Sequence, residues 1–241
     1  MNAQSISKSD LPHLYKTYRQ MERTNRHEIL QLIEPCPHGR LLDCGCGDGE
    51  FTVRLAKRAL VAEAYGIERV DERIAEASDR GVIVTKADLN DRLPYRDHFF
   101  NIIHANQIIE HLMNPGLFLA EARRVLRADG YAVFATSNVG SWHNVLSLAL
   151  GVQPSPTLIS NEAVAAHVFD PLQHSHQTYL DDVHVRVHSC QGLRDLCSRH
   201  GFSVEVVRTV GYYPLPPGLA RLMCRIDSAH GAFLIIRLRP Q

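Results

Sequence analysis

Between residues 40 and 137 the chain alternates short apolar runs with amphipathic ones, and that alternation restricts its fold more than any other feature. The apolar runs are RLLDC (40–44), VAEAYGIE (61–68), GVIVTKA (81–87), FFNIIHA (99–105) and GYAVFATS (130–137). Between them, EFTVRLAKRAL, DERIAEASDR and GLFLAEARRVL carry helical periodicity, with Phe51, Leu55 and Ala59 on one stripe and Asp71 placed to cap the second helix. Near-continuous apolar strands need cover on both faces, and helical crossovers return the chain to lay the next strand parallel. The expectation is an α/β fold: a doubly wound, mostly parallel sheet with helices on both faces.

The flanks are less regular. Residues 11–34 read as a helix, with Leu14, Tyr18, Met21, Ile29 and Ile33 near helical spacing, ended by PCPHG. From about 138 to 188 periodicity lapses, and so long an irregular stretch is expected to fold over the sheet's active edge as a lid. A helix (CQGLRDLCSRHG), a strand (FSVEVVRTV), a Pro-rich loop (GYYPLPPG) and a last strand (AFLIIRL) follow. One domain over 1–241 is expected: a helical cap at 1–37, a core at 38–137, the lid at 138–188 and a closing segment at 189–241. Leu219, Leu222 and Met223 read as one face of a packed helix.

Charge limits the partners. Lys+Arg and Asp+Glu balance at 26 each, so no net field favours nucleic acid or an anionic membrane. No apolar run reaches the ~18 residues a membrane span requires. The opening MNAQSISKSD has no apolar segment of a signal peptide, and the six cysteines have no disulfide-framework spacing. A cytoplasmic protein with reduced thiols is the expectation.

The stretch LLDCGCGDGE (41–50) lies between the first strand and the first helix, where doubly wound sheets bind ligands. Zinc, a phosphate-cradling loop and a nucleotide-binding turn each suit glycines mixed with cysteines. Cys44 and Cys46 lack further ligands at zinc-site spacing. Gly45, Gly47 and Gly49 form G-x-G-x-G rather than the G-x-G-x-x-G that seats a pyrophosphate, and Asp43 suits an ammonium or sulfonium better than a phosphate. Three further clues follow in order. Glu68 ends the second strand, where a carboxylate accepts ribose hydroxyls. Asp88, in KADLND, is placed to meet an adenine amine. FFNIIHANQIIEHL runs a strand into a polar turn and then Glu110-His111.

At these residues the chain resembles class I S-adenosylmethionine-dependent methyltransferases, in the broad group with an LDxGCGxG first motif (type 11-like), and EARRVLRADGYAVFATSN extends the likeness. The resemblance implies a Rossmann-like, seven-stranded sheet whose last strand is antiparallel, with S-adenosyl-L-methionine as cofactor. It implies that Asp43, Cys44, Gly45, Gly47 and Gly49 hold the methionine part, Glu68 with Arg69 the ribose, Asp88 and Leu89 the adenine, and Ala105, Asn106 and His111 the methionine end. Cys44 departs from the small aliphatic residue commoner at its position. More loosely, NVGSWHNVLSLALGVQP resembles MetW-like and saccharide methyltransferases, in which it forms a lid.

A sulfonium methyl is already activated, so alignment supplies most of the catalysis, worth roughly 7–11 kcal/mol. A hydroxyl acceptor would also use a base, and His184 and His143 are the candidates. Trp142, Arg186 and Tyr212 are expected substrate contacts, and Tyr15, Tyr18 or Arg19 are placed to close over the cofactor. His174, His176, Asp181, Asp182 and His184 are metal-binding types in no metal-site spacing, so no metal is expected. The reading is O-methylation of a small molecule, saccharide or natural product by a possible homodimer, without nucleic-acid or membrane partners. Its rivals are a non-catalytic cofactor-binding subunit and an NAD-dependent oxidoreductase.

Overall fold

A computed structural model describes residues 13–154, 157, 184–213 and 215–241. Among them, seven strands form one sheet in the order β3-β2-β1-β4-β5-β7-β6: β1 Arg40–Cys44, β2 Glu63–Glu68, β3 Ile83–Lys86, β4 Phe100–Asn106, β5 Leu126–Ser137, β6 Phe202–Val210 and β7 Phe233–Pro240. The first five are parallel, and β7 runs antiparallel between β5 and β6. This is the expected Rossmann-like arrangement, with the antiparallel last strand in place.

Successive side chains along a strand face opposite sides, and here the two sides are two cores. Leu42, Ile103, Phe134 and Ile236 enter one core, while their neighbours Leu41, Ile102, Val133 and Ile235 enter the other. Helices α4 (Pro115–Val125) and α6 (Cys190–Arg199) cover the first core with Phe118, Leu119, Leu193 and Cys197. Helices α1 (His13–Leu32) and α2 (Glu50–Ala59) cover the second with Ile29, Leu32, Phe51 and Leu55. Each such side chain contributes roughly 1.5–3 kcal/mol by leaving water. Apolar runs on both sheet faces are thus explained: each face has its own layer of helices.

Local chemistry sets the helix starts. Asn114 caps α4 by accepting the Leu117 N–H at 3.0 Å, with Pro115 at the first helical position. Ser189 caps α6 by accepting the Gly192 N–H at 3.3 Å. Helix α3 (Asp71–Asp79) corrects one expectation, because Asp71 is its first helical residue and not its cap. Its carboxylate binds the Lys86 ammonium at 2.6 Å instead, and the N–H groups entering the helix, those of Arg69 and Val70, donate to Glu68.

After β5 the chain leaves the sheet through a hub at Asn138, which is fully buried. Its side-chain amide donates to the Ala229 and Gly231 carbonyls and accepts the Gly140 N–H. Residues 138 and 139 meet the returning chain at His188, so the excursion closes on itself. Of the expected lid, helix α5 (Trp142–Ala149) is described, and His174, His176, Asp181 and Asp182 lie outside the described residues. Helix α7 (Pro217–Ile226) overturns the expected packed face, because Leu219 and Leu222 are about half exposed, at 45% and 51%. No helix among the described residues is long and apolar enough to cross a membrane.

Candidate cofactor cavity

At the carboxyl edge of β1, β2 and β4 a cavity of about 610 Å³ opens, within the usual size of a small-molecule site. One wall is the glycine turn. Gly45 takes φ +76°, and a Cβ there would collide with the Ile108 side chain. Gly47 takes φ +54°, and a Cβ there would meet nothing but open space. The first glycine is required by packing. The second keeps side-chain atoms out of the space a ligand would use.

Glu68 ties this turn to the second strand. Its Oε1 accepts the N–H groups of Arg69 and Val70 at 2.7 and 3.0 Å, and its Oε2 accepts the Gly47 N–H at 3.1 Å. A carboxylate offers about four acceptor sites, so three donors orient it and leave capacity for a hydroxyl. Asp88 is fixed similarly: Oδ1 takes the main-chain and side-chain N–H of Asn90, and Oδ2 pairs with Arg69 at 3.3 Å. These bonds, led by the Asn90 main chain, hold its pKa below the ordinary aspartate value.

The opposite wall is one that sequence reasoning largely missed. Glu22, Asn25 and Arg26 of α1 line the cavity with Asn106, Gln107, Ile108 and Leu112. The Asn25 amide donates to Asn106 Oδ1 at 2.8 Å, while Asn25 Oδ1 and Gln107 Nε2 are buried without a hydrogen-bond partner. Unpaired buried amide atoms at a cavity wall are poised for a polar ligand. A cap helix over the cofactor was expected, but through other residues. Arg19 is not in the lining but pairs with the cavity-lining Glu22 at 2.6 Å, and the side chains of Tyr15 and Tyr18 lie outside the described residues. Only an unusually polar position on the apolar stripe, Asn25, signalled the true contact.

Of the expected cofactor contacts, Gly45, Gly47, Glu68, Arg69, Asp88, Leu89, Asn106 and His111 line the cavity; Asp43, Cys44, Gly49 and Ala105 do not. Asp43 lies beneath the turn rather than in the lining. It is buried, with Oδ1 bound to His104 Nδ1 at 2.6 Å and Oδ2 accepting the Thr52 hydroxyl at 2.5 Å. With both oxygens engaged, it braces β1 against β4 and α2 from beneath the turn. Cys44 and Ala105 face the core from β1 and β4, and Gly49 packs on Ala77 at the start of α2. Burial first, with Asp43 beside it, pushes the Cys46 thiol up to about 12, so neither it nor the fully buried Cys44 is poised as a metal-binding thiolate.

Of the two candidate bases, His184 comes to the cavity's edge. Its ring lies 4.8 Å from that of the cavity-lining His111, and Val185 beside it is part of the lining. The main-chain N–H groups of Val185 and Arg186 donate to the Glu110 carbonyl at 2.8 and 3.0 Å, docking this segment on the 3-10 turn Ile109–His111. His143 sits elsewhere, edge-on to Tyr213, and so do two of the expected substrate residues, Trp142 and Tyr212. The Trp142 indole donates to Asp227 Oδ2 at 3.0 Å and stacks on His230, and the Tyr212 hydroxyl donates to the Asp227 carbonyl. Arg186 donates to the Met113 carbonyl. Trp142 and Tyr212 thus build a corner around Asp227 rather than a substrate pocket.

Residues 17–207 match a family model described as a methyltransferase domain. The chain is 24% identical over 211 residues to a Mycobacterium tuberculosis protein named "Probable S-adenosylmethionine-dependent methyltransferase", covering 85% of this chain and 73% of that one. It is 31% identical over 137 residues to malonyl-[acyl-carrier protein] O-methyltransferase of Geobacter sulfurreducens, covering 53% of this chain and 50% of that one. Shorter matches span less of a relative, as with 37% of a Schizosaccharomyces pombe methyltransferase. Among solved structures, an S-adenosylmethionine-dependent methyltransferase from Mesorhizobium loti superposes with a TM-score of 0.59 at 17% identity, over 91% of this chain and 97% of that one.

Proposed function

The chain belongs to the methyltransferase-domain family, and from that premise we propose that it methylates an oxygen of a small-molecule, saccharide or natural-product acceptor. It is an S-adenosylmethionine-dependent enzyme; the cofactor supplies a methyl group activated on a sulfonium sulfur. The observation that carries the reading is the cavity that joins the glycine turn, Glu68 and Asp88 on one side to His111 and the docked His184 segment on the other. The open space at Gly47 and the unpaired atoms of Asn25 and Gln107 suit such a cofactor.

In this reading the spare acceptor capacity of Glu68 receives a ribose hydroxyl, Asp88 and Leu89 border the adenine, and Asn25, Asn106 and Gln107 hold the amino-acid end. Gly45 keeps the turn close to Ile108, and the Asp43–His104–Thr52 network holds that turn in register. His184 takes the proton of the acceptor hydroxyl. Oxygen as the acceptor atom is favoured by this histidine and by the O-methyl transfer in the name of the Geobacter relative. Six cysteines, none paired in a disulfide, fit the cytoplasm, and the exposed apolar residues of α5 and α7 fit a homodimer contact.

The test uses a methyl-labelled donor and a panel of hydroxylated, carboxylated and aminated acceptors. The expected result is label in an ether or ester, with turnover reduced roughly 10²–10⁴-fold in His184→Asn. Label found only in amines would refute the oxygen acceptor.

A further inference from the structure

We propose that Glu110, His111 and His184 bind a divalent transition-metal ion in the wall of the cofactor cavity. The three offer one carboxylate oxygen and two imidazole nitrogens, all within 4.8 Å of one another. Glu110 and His111 are adjacent in sequence but His184 lies in a distant segment, so spacing alone does not bring the three together. The hydrogen bonds from Val185 and Arg186 to the Glu110 carbonyl bring the two segments together.

The independent observation is Glu110 itself. It is fully buried, its Oε1 accepts the Ser137 N–H at 3.3 Å, and its Oε2 has no hydrogen-bond partner. A buried carboxylate with an unpaired oxygen is costly unless something positive meets it, and a cation between this oxygen and the two rings would meet it. Two imidazoles and one carboxylate suit manganese, iron, cobalt or zinc better than magnesium or calcium, which favour all-oxygen shells. Tetrahedral ligands at bond lengths near 2.1 Å stand about 3.4 Å apart, so binding draws these donors inward by roughly 1 Å. Both histidines are half-buried.

Three protein ligands leave coordination positions open, and His111 faces the cavity. There the ion would hold an acceptor oxygen and lower the pKa of its hydroxyl; with its nitrogen on the ion, His184 would no longer be the base, and this activation would take its place. That role rests on the proposed methyl transfer, whereas metal binding does not.

The experiment is a Co²⁺ titration of the full chain after chelator treatment, followed by visible absorption. The expected result is ligand-field bands saturating at one equivalent. His184→Asn and Glu110→Gln should each weaken binding about tenfold or more, and a His174→Asn/His176→Asn double variant should leave it unchanged. Circular dichroism identifies variants that are folded; His184→Asn, at a half-buried position, is the one expected to remain so. No bands from the folded chain, or equal bands from folded His184→Asn, would overturn the site. Calorimetry with S-adenosylhomocysteine on the same stripped protein separates the two readings. Nucleoside binding without cobalt binding rejects the metal alone, and the converse rejects the cofactor assignment alone.

Discussion

Gly45 and Gly47 share a motif and a left-handed backbone, yet their surroundings give them different tasks. Alanine at either position incurs the left-handed penalty of about 1–2 kcal/mol. At Gly45 the new methyl group also strikes Ile108, whereas at Gly47 it enters the cavity. Gly45→Ala should therefore lower the melting temperature more, and Gly47→Ala should lose more nucleoside affinity per degree of stability lost; melting curves and calorimetry on both variants check this. Asp227 makes a second prediction at this scale. Burial pushes its pKa up, but the Ala229 N–H, His230, Tyr212 and Trp142 more than reverse that and hold it well below the ordinary aspartate value. A depressed carboxylate pKa adds stability above the unfolded value, near 3.9, which is lost as pH falls through the folded value. Asp227→Asn should thus destabilise the chain by about 1–3 kcal/mol at neutral pH. The gap should close in acid, below about pH 4. Equal melting temperatures at neutral pH would contradict the role given to Asp227 at the centre of that corner. Site residues that follow a strand end, such as Glu68 and Asp88, were legible because their spacing from the glycine turn fixes their edge of the sheet. Asn25 and Glu110 stand out in the sequence only as polar residues beside apolar ones; what they do arises when α1 and the 184–186 segment pack against that edge.

At the scale of elements, the helix caps and the sheet cores divide the work of stability. Phe134 is buried between Phe118 and Phe202, with ring centroids at 5.6 and 6.4 Å. Phe134→Ala should cost about 3–5 kcal/mol through lost burial and a residual cavity. Asn114→Ala, which removes only the cap of α4, should cost about 0.5–2 kcal/mol; denaturant unfolding measures both, and a reversed order would contradict the packing described. Strands β1, β4 and β5 could be read from the sequence because both of their faces are largely buried, leaving nearly unbroken apolar runs. The α7 face could not, because helical spacing of Leu219, Leu222 and Met223 signals an apolar stripe without saying what covers it. Among the described residues Leu219 and Leu222 remain exposed and Met223 is half-buried.

At the scale of the molecule, two cores on one sheet hold seven strands in register, so the cavity edge is assembled from residues that span the chain, from Glu22 to Phe233. A ligand that bridges α1, the glycine turn and the 184–186 segment should stabilise the whole fold, by about 2.7 kcal/mol at a concentration 100 times its dissociation constant. The central claim is that this cavity holds the nucleoside of S-adenosylmethionine through Glu68. Its most direct test is calorimetric titration of the purified chain with S-adenosylhomocysteine, with NAD as control, repeated on Glu68→Ala. The account predicts saturable binding of S-adenosylhomocysteine, none of NAD, and a loss of roughly 1–3 kcal/mol in the variant as the ribose bond disappears. A folded chain that does not bind S-adenosylhomocysteine, or a Glu68→Ala variant that binds it as well as the parent, would contradict it.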